Sequence, residues 1–167
     1  MYEHLCHQVM QAVQTQPLQP DHLFGALHDM ARNIVGARLF TVTAVDASQS
    51  HVRRLYTSNL AAYPTGGTKP LHRDEWYDTV MVGHDVFVKN TIEDIAQVFP
   101  DYETIDALDC QSVINVPIII AGRVYGTVNC LDTAHHYTDE RVAKSVDLRM
   151  PAAVCLLALQ HNQNREG

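Results

Sequence analysis

The sequence of 167 residues is 46% hydrophobic and carries a formal net charge of -7. This length is typical of one domain, so we expect residues 1–167 to fold around a single core. Acidic residues are spread along the chain, and Arg53-Arg54 is the only basic pair. The composition therefore excludes a nucleic-acid partner of the usual basic kind.

Targeting, membrane and metal signals are missing from the sequence. No basic and apolar leader precedes the first helical pattern, and no apolar run approaches the roughly 18 residues that span a bilayer. The four cysteines are widely spaced without a Cys-x-x-Cys pair, and the ten histidines match no metal-ligand spacing. We therefore expect a cytoplasmic protein without a membrane contact, a disulfide framework, a metal or another cofactor.

Two amphipathic helices are predicted at the start of the chain. In residues 2–14, apolar side chains recur at helical spacing, and Pro17 ends the segment. In residues 20–35, Pro20 suits the first helical turn, and a broad apolar stripe continues as far as Gly36. Both helices should turn an apolar face towards the core.

Residues 37–45 and 51–57 are rich in β-branched and aromatic side chains and predict two antiparallel strands joined by a short turn. Residues 59–72 follow as the longest irregular stretch. A loop of this length is either functional, as a lid or binding segment, or a tolerated insertion. The sequence leaves both interpretations open.

The next segment predicts short helices around a third strand. Residues 74–82 have the pattern of a short helix, and residues 86–88 that of a brief strand. A further helix begins at Asn90-Thr91, where Thr91 and Asp94 have approximately the spacing of a capping box. The helical pattern resumes briefly before the next strand.

Residues 112–132 read SVINVPIIIAGRVYGTVNCLD and predict a β-hairpin. The first run is almost continuously apolar, as in a strand covered on both faces, and the second alternates two sets of side chains. Ala121-Gly122 supplies the short turn between them. Residues 138–161 then predict a long final helix, and Pro151 inside it predicts a kink because it lacks a backbone donor.

The hairpin and the start of the last helix resemble a known family. The spacing found in the closing hairpin of GAF domains recurs at Ser112, Pro117, Gly122, Gly126 and Asn129. The sequence YTDER at residues 137–141 looks like the Phe-Thr-x-Glu-Asp entry to the last helix of that family. The order of predicted elements is similar to the GAF order over nearly the whole chain.

This resemblance implies an α+β sandwich with one antiparallel sheet of five or six strands. The terminal helices 2–14, 20–35 and 138–161 should cover one face of the sheet, and loops and short helices the other. GAF domains are commonly sensory modules with a small-molecule pocket on the loop-rich face, and many dimerise through their first and last helices. The resemblance thus implies a small organic ligand held between the sheet and residues 59–110, and a homodimer.

Candidate ligand-binding residues follow from the expected position of this pocket. A helix start offers free N–H groups to an anionic or carbonyl group, aromatic side chains supply flat walls, and buried amides require polar partners. The candidates are Tyr63, Trp76, Tyr77, Asn90, Thr91, Ser112, Asn115 and Asn129. For each of them, a structural role as a core aromatic, a cap or a satisfied polar group is the alternative.

One enzymatic branch of the GAF fold, the free methionine-R-sulfoxide reductases, suggests a different function. By resemblance, the carboxylates of these enzymes fall on Val113, Asn129 and Leu131, and their reactive cysteine falls near Asp106. None of these positions carries the side chain that the reductase mechanism needs, so we expect no catalysis.

Two alternatives to a non-catalytic ligand-binding sensor stay open. A thiol-based redox enzyme or sensor would use Cys110 and Cys130, the only pair that the predicted fold brings near one another. An interaction module would dimerise without any ligand. The sequence signatures of GAF domains that bind cyclic nucleotides or attach bilins are not present.

Overall fold

The computed structural model describes residues 1–166, so the last residue of the predicted domain, Gly167, lies outside the described residues. The strands are β1 (Leu39–Val45), β2 (His51–Thr57), β3 (Thr68–Pro70), β4 (Phe87–Lys89), β5 (Ser112–Ile120) and β6 (Arg123–Asp132). The helices are α1 (Tyr2–Gln14), α2 (Pro20–Ile34), α3 (Glu75–Tyr77), α4 (Ile92–Ala96), α5 (Tyr102–Ala107), α6 (Asp139–Ser145) and α7 (Arg149–Glu166).

The strands form one antiparallel sheet in the order β3-β2-β1-β6-β5-β4. This arrangement confirms the predicted α+β class and the expected five or six strands. The hairpin predicted from residues 112–132 is the β5–β6 pair, and its turn has positive φ at both Ala121 (50°) and Gly122 (76°). Two positive φ values in a two-residue turn match the right-handed twist of the strands that it joins.

The first and last helices cover one face of the sheet, as predicted. Their buried side chains, such as Phe24 of α2 and Cys155 of α7, share one core cluster with Phe40, Ile114 and Val128 from the strands. The helical spacing of apolar residues in α1 and α2 gives each helix one apolar stripe, and burial of that stripe is the main source of their stability.

Residues 59–110 cover the opposite face. Ile95 of α4 and Ile105 of α5 pack with Leu39 and Val113 in a second cluster, and a third cluster surrounds Phe87. The sheet is therefore covered on both sides, which explains the nearly continuous apolar run of β5.

Two elements differ from the sequence-based expectation. The predicted final helix over 138–161 is divided into α6, a 3-10 turn (Val146–Leu148) and α7, with the interruption close to the kink predicted near Asp147 to Pro151. Pro151 lies in the first turn of α7, where a backbone N–H has no intrahelical partner and its absence costs little. In the stretch predicted to be irregular, β3 pairs with β2 as an edge strand; three exposed residues are too short for a periodic signal.

At Gly126, β6 lies too close to β1 to admit a side chain. A Cβ atom built on Gly126 would lie 2.0 Å from the backbone oxygen of Thr43 in β1. Only glycine therefore permits β1 and β6 to pair at this position.

We expect Gly126→Ala to destabilise the protein by about 1–3 kcal/mol, because the strands must separate to admit the methyl group. Urea denaturation measures this change. Gly67→Ala is the matched control, since a Cβ there meets nothing within 4 Å, and its stability should stay within about 0.5 kcal/mol of the wild type. Equal stability of the two variants would contradict the close approach.

Candidate ligand-binding site

A cavity of about 150 Å³ lies between the sheet and residues 59–110. We call it the central cavity. Its lining comes from β1, β2, β3, β5 and β6 on the sheet side and from the covering segment on the other: Leu39, Thr41, Thr43, Val52, Arg54, Tyr63, Lys69, Trp76, Phe99, Asp101, Ile105, Val113, Asn115, Thr127, Asn129 and Leu131.

A row of hydrogen-bonded side chains crosses the sheet wall of the central cavity. Trp76 Nε1 donates to Asn115 Oδ1 at 3.0 Å. Asn115 Nδ2 donates to Asn129 Oδ1 at 2.7 Å, and Asn129 Nδ2 donates to Thr41 Oγ1 at 3.1 Å. We call these four residues the amide row.

Strand register explains the amide row. Asn129 pairs directly with Asn115 of β5 on one side and with Thr41 of β1 on the other. Directly opposed residues on antiparallel strands point to the same face, so the three side chains form a line. Because both asparagines are nearly buried, their mutual hydrogen bonds remove the cost of unpaired amides.

The side of the central cavity that adjoins β2 carries the charged and phenolic groups. Tyr63 donates a hydrogen bond from its hydroxyl to Asp101 Oδ2 at 2.7 Å, and the guanidinium of Arg54 lies 4.8 Å from the centre of the Tyr63 ring. Burial, followed by the bond to Asp101, raises the pKa of Tyr63. Burial lowers the pKa of Arg54, while Tyr63 and Asp101 act in the opposite direction.

The arginine of this group is only partly paired. Arg54 Nη1 donates to the backbone oxygen of Pro64 at 3.1 Å. Its Nε is buried and has no hydrogen-bond partner among residues 1–166. The site thus contains one buried donor that the protein itself does not satisfy.

Tyr63, Trp76, Asn115 and Asn129, which the sequence suggested as ligand-binding residues, line the central cavity. Their role in binding stays a prediction. Tyr77 is not in the lining and packs instead in the cluster around Phe87.

Three further candidates lie outside the cavity wall and have structural partners. Asn90 holds the turn before α6, donating to Tyr137 O at 2.9 Å and accepting from Tyr137 N at 3.1 Å. Thr91 caps α4 by accepting from Asp94 N at 3.2 Å. Ser112 donates to Thr133 O at 2.7 Å. We expected the start of α4 to lie at the central cavity, but neither Asn90 nor Thr91 is part of its wall.

Sequence reasoning missed the charged part of the lining. Arg54, Lys69 and Asp101 lie in three segments that only the folded chain brings together. One signal was available: in a strand with alternating sides, Arg53 and Arg54 point to opposite faces, so one arginine of the pair had to face the cavity side.

The two cysteines considered for redox chemistry lie on opposite faces of the sheet. Cys130 belongs to the cluster under the terminal helices, whereas Cys110 belongs to the cluster on the cavity side. Both side chains are buried, and burial raises the pKa of the Cys110 thiol to about 11 and that of Cys130 further. Their separation into different clusters argues against a Cys110–Cys130 disulfide, and their raised pKa values disfavour the reactive thiolate.

Larger openings, of about 320, 370 and 420 Å³, lie along the terminal helices. Their walls do not include the amide row or Arg54, so we regard them as surface grooves. Within residues 1–166, no three metal-ligating side chains are grouped to hold an ion. Among the same residues, the helices are too short or too polar to span a bilayer.

Solved structures with the same fold are numerous, although no protein-family model and no curated protein matches the sequence. The GAF domain of a phosphoenolpyruvate-protein phosphotransferase from Coxiella burnetii is 16% identical, with a TM-score of 0.67 and coverage of 99% of this chain and 96% of that chain. The GAF domain of a two-component sensor histidine kinase from Bacillus halodurans is 12% identical, with a TM-score of 0.67 and coverage of 84% and 95%.

A third similar structure is the chromophore-binding domain of a bacteriophytochrome from R. palustris. It is 12% identical, with a TM-score of 0.64, and the match covers 99% of this chain and 62% of that chain. These similarities agree with the sequence resemblance of the hairpin. The chain therefore has a GAF-like fold.

The thiol environments predict which cysteines react. Iodoacetamide at neutral pH should modify only the half-buried Cys6 of the native protein, because the other three thiols are buried and their pKa values are raised. Unfolded protein should accept a label at all four cysteines. Intact-mass measurement distinguishes these states. Trapping a Cys110–Cys130 disulfide with a mild oxidant would instead support the redox alternative.

Proposed function

We propose that this protein is a non-catalytic sensory domain that binds a small organic ligand in the central cavity and transmits occupancy through its terminal helices. The observation that carries the proposal is the convergence of the amide row and Arg54 on one apolar cavity. An apolar pocket with a few converging polar groups is the usual form of a small-molecule site.

The lining argues for binding rather than chemistry. Its described residues include no histidine or cysteine, and its phenol, Tyr63, has a raised pKa and donates its proton to the hydrogen bond with Asp101. The positions where resemblance to the reductases would place carboxylates, Val113, Asn129 and Leu131, are in the wall. Their side chains offer neither an acid nor a base.

Strands β5 and β6 provide a physical route from the cavity to the helices. Asn115 and Asn129 face the cavity, while their neighbours Ile114 and Val128 pack under the terminal helices. A ligand that shifts the amide row moves β5, the strand on which α7 packs. Packed elements with alternative arrangements are the usual carriers of such coupling.

Helices α1 and α7 expose apolar side chains that suit the interface of a homodimer. Tyr2 and Met10 of α1 are each 43% exposed, and Met150 and Leu157 of α7 are 64% and 47% exposed. Since α1 and α7 contact one another, these apolar side chains occupy one helical layer. Exposed apolar side chains of this kind are typical of interaction surfaces.

A thermal-shift screen of amino acids, purines, 2-oxoacids, cyclic nucleotides and aromatic acids tests ligand binding. A ligand at about 100 times its Kd should stabilise the protein by about 2.7 kcal/mol, which is a shift of a few degrees. Trp76→Ala should abolish the ligand-induced shift. Tyr77→Ala, at the adjacent position outside the cavity, should retain it, with each variant compared to its own unliganded Tm. No shift with any class would favour the ligand-free interaction module.

Light scattering coupled to size exclusion tests the dimer. We expect the wild type to be dimeric and Leu157→Glu to be monomeric, because a charge in an apolar interface is not solvated. Leu60→Glu is the control, since Leu60 is 66% exposed but lies in the loop after β2. A monomeric wild type at micromolar concentration would exclude this interface.

A further inference from the structure

We propose that the ligand of the central cavity is a small monocarboxylic acid with a compact apolar body, and that Arg54 binds its carboxylate. This inference rests on the proposed function and specifies the chemical class of the ligand. It is carried by the partly paired guanidinium, by the charges around it and by the apolar space that adjoins it.

Arg54 has the features expected of an arginine that binds an anionic ligand. None of the ion pairs among the described residues includes it. Its Nη1 is used by the Pro64 carbonyl, and its buried Nε has no partner among residues 1–166. A buried donor without an acceptor is unfavourable. Arg54 lines the central cavity, and the planar fork of a guanidinium matches the two oxygens of a carboxylate.

The other buried side-chain nitrogens that lack a hydrogen-bond partner do not indicate an anion-binding site. Arg149 Nε and His28 Nε2 also lack a partner among the described residues, but neither lines the central cavity. Arg54 alone of the three combines an unpaired donor with an adjoining apolar space.

The balance of charge around the cavity favours a monoanion. Arg54 and Lys69 are the cations of the lining and Asp101 is its carboxylate, whereas the whole chain carries a formal charge of -7. The hydroxyl of Tyr63 donates to Asp101, so this carboxylate keeps its charge and has a hydrogen-bond partner within the protein. One bound carboxylate would bring the net charge of the lining to zero, and a second would make it negative.

The apolar space determines the size of the ligand body. Leu39, Phe99, Ile105, Val113 and Leu131 form the apolar part of the wall. The cavity volume of about 150 Å³ equals that of an engineered apolar cavity, about 150 Å³, that binds benzene. A ring or a branched aliphatic group fits this space.

The only tryptophan of the chain reports on this site directly. Trp76 lines the cavity, and its indole N–H is bonded to the amide row. In a proton–nitrogen correlation spectrum, the protein therefore has a single indole signal, and a ligand in the cavity should shift it.

The experiment is a titration of the full chain with benzoate and with benzamide, followed by the indole signal and by thermal shift. Benzamide has nearly the same shape as benzoate without the charge. We expect benzoate and 3-methylbutanoate to bind and benzamide to bind at least about tenfold more weakly, because hydrogen bonds to a charged group contribute roughly 10- to 100-fold in affinity.

Arg54→Gln and Arg53→Gln form the matched pair of variants. Both remove one positive charge from the same strand, but Arg53 lies on the other side of β2 and does not line the cavity. Arg54→Gln should weaken benzoate binding by roughly 10- to 100-fold and leave benzamide binding unchanged, while Arg53→Gln should leave both unchanged.

Two outcomes would overturn the inference in distinguishable ways. If benzamide binds as well as benzoate, and Arg54→Gln has no effect on either, the cavity binds neutral ligands; the carboxylate assignment is then wrong while the proposed sensory function stands. If the indole signal responds to no carboxylate, amide or other class of the thermal-shift screen, both the ligand class and the proposed function are wrong.

Discussion

The pairing of β6 with both of its neighbours is the constraint on which the rest of the molecule depends. β6 is hydrogen-bonded to β1 and to β5, and Gly126 lets β1 approach at a point where no side chain fits. A shift of either pairing by one residue would exchange the two faces of the sheet. The core under the helices would then receive the amides, and the cavity would receive Val128 and Cys130.

The same register builds the wall of the central cavity. Because Asn129 lies opposite both Asn115 and Thr41, the buried amides satisfy one another and the sheet wall is complete without a ligand. The unsatisfied donor is on β2 instead, at Arg54. The hydrogen bonds that hold the wall and the unsatisfied donor thus lie on different strands, so a substitution of Arg54 leaves the amide row intact.

Alternation along β6 also places its cysteine and its cavity-lining side chains on opposite faces of the sheet. It places the thiol of Cys130 under the helices, away from Cys110 and from the cavity lining. The cavity side instead carries Thr127, Asn129 and Leu131, none of which is an acid or a base near neutral pH. One face of the strands is therefore suited to receive a ligand and the other to transmit its presence to α7.

The sequence by itself determined the elements whose signal is local. Helical periodicity predicted α1 and α2, alternation and a two-residue turn predicted the β5–β6 hairpin, and the resemblance of that hairpin to GAF domains predicted the class of fold. Trp76 and the two asparagines were suggested for the cavity because an aromatic residue and buried amides have recognisable requirements. Each of these inferences depends on neighbouring residues or on a familiar spacing.

Only the tertiary structure decided the rest, because it depends on contacts between distant segments. The short edge strand β3, the division of the last helix into α6 and α7, and the position of the start of α4 outside the cavity wall leave no periodic signal. The meeting of Arg54, Lys69 and Asp101 requires β2, β3 and the start of α5 to be placed together across the sheet. A charge in a sequence shows its sign, but its burial and its missing partner exist only once the chain has folded around it.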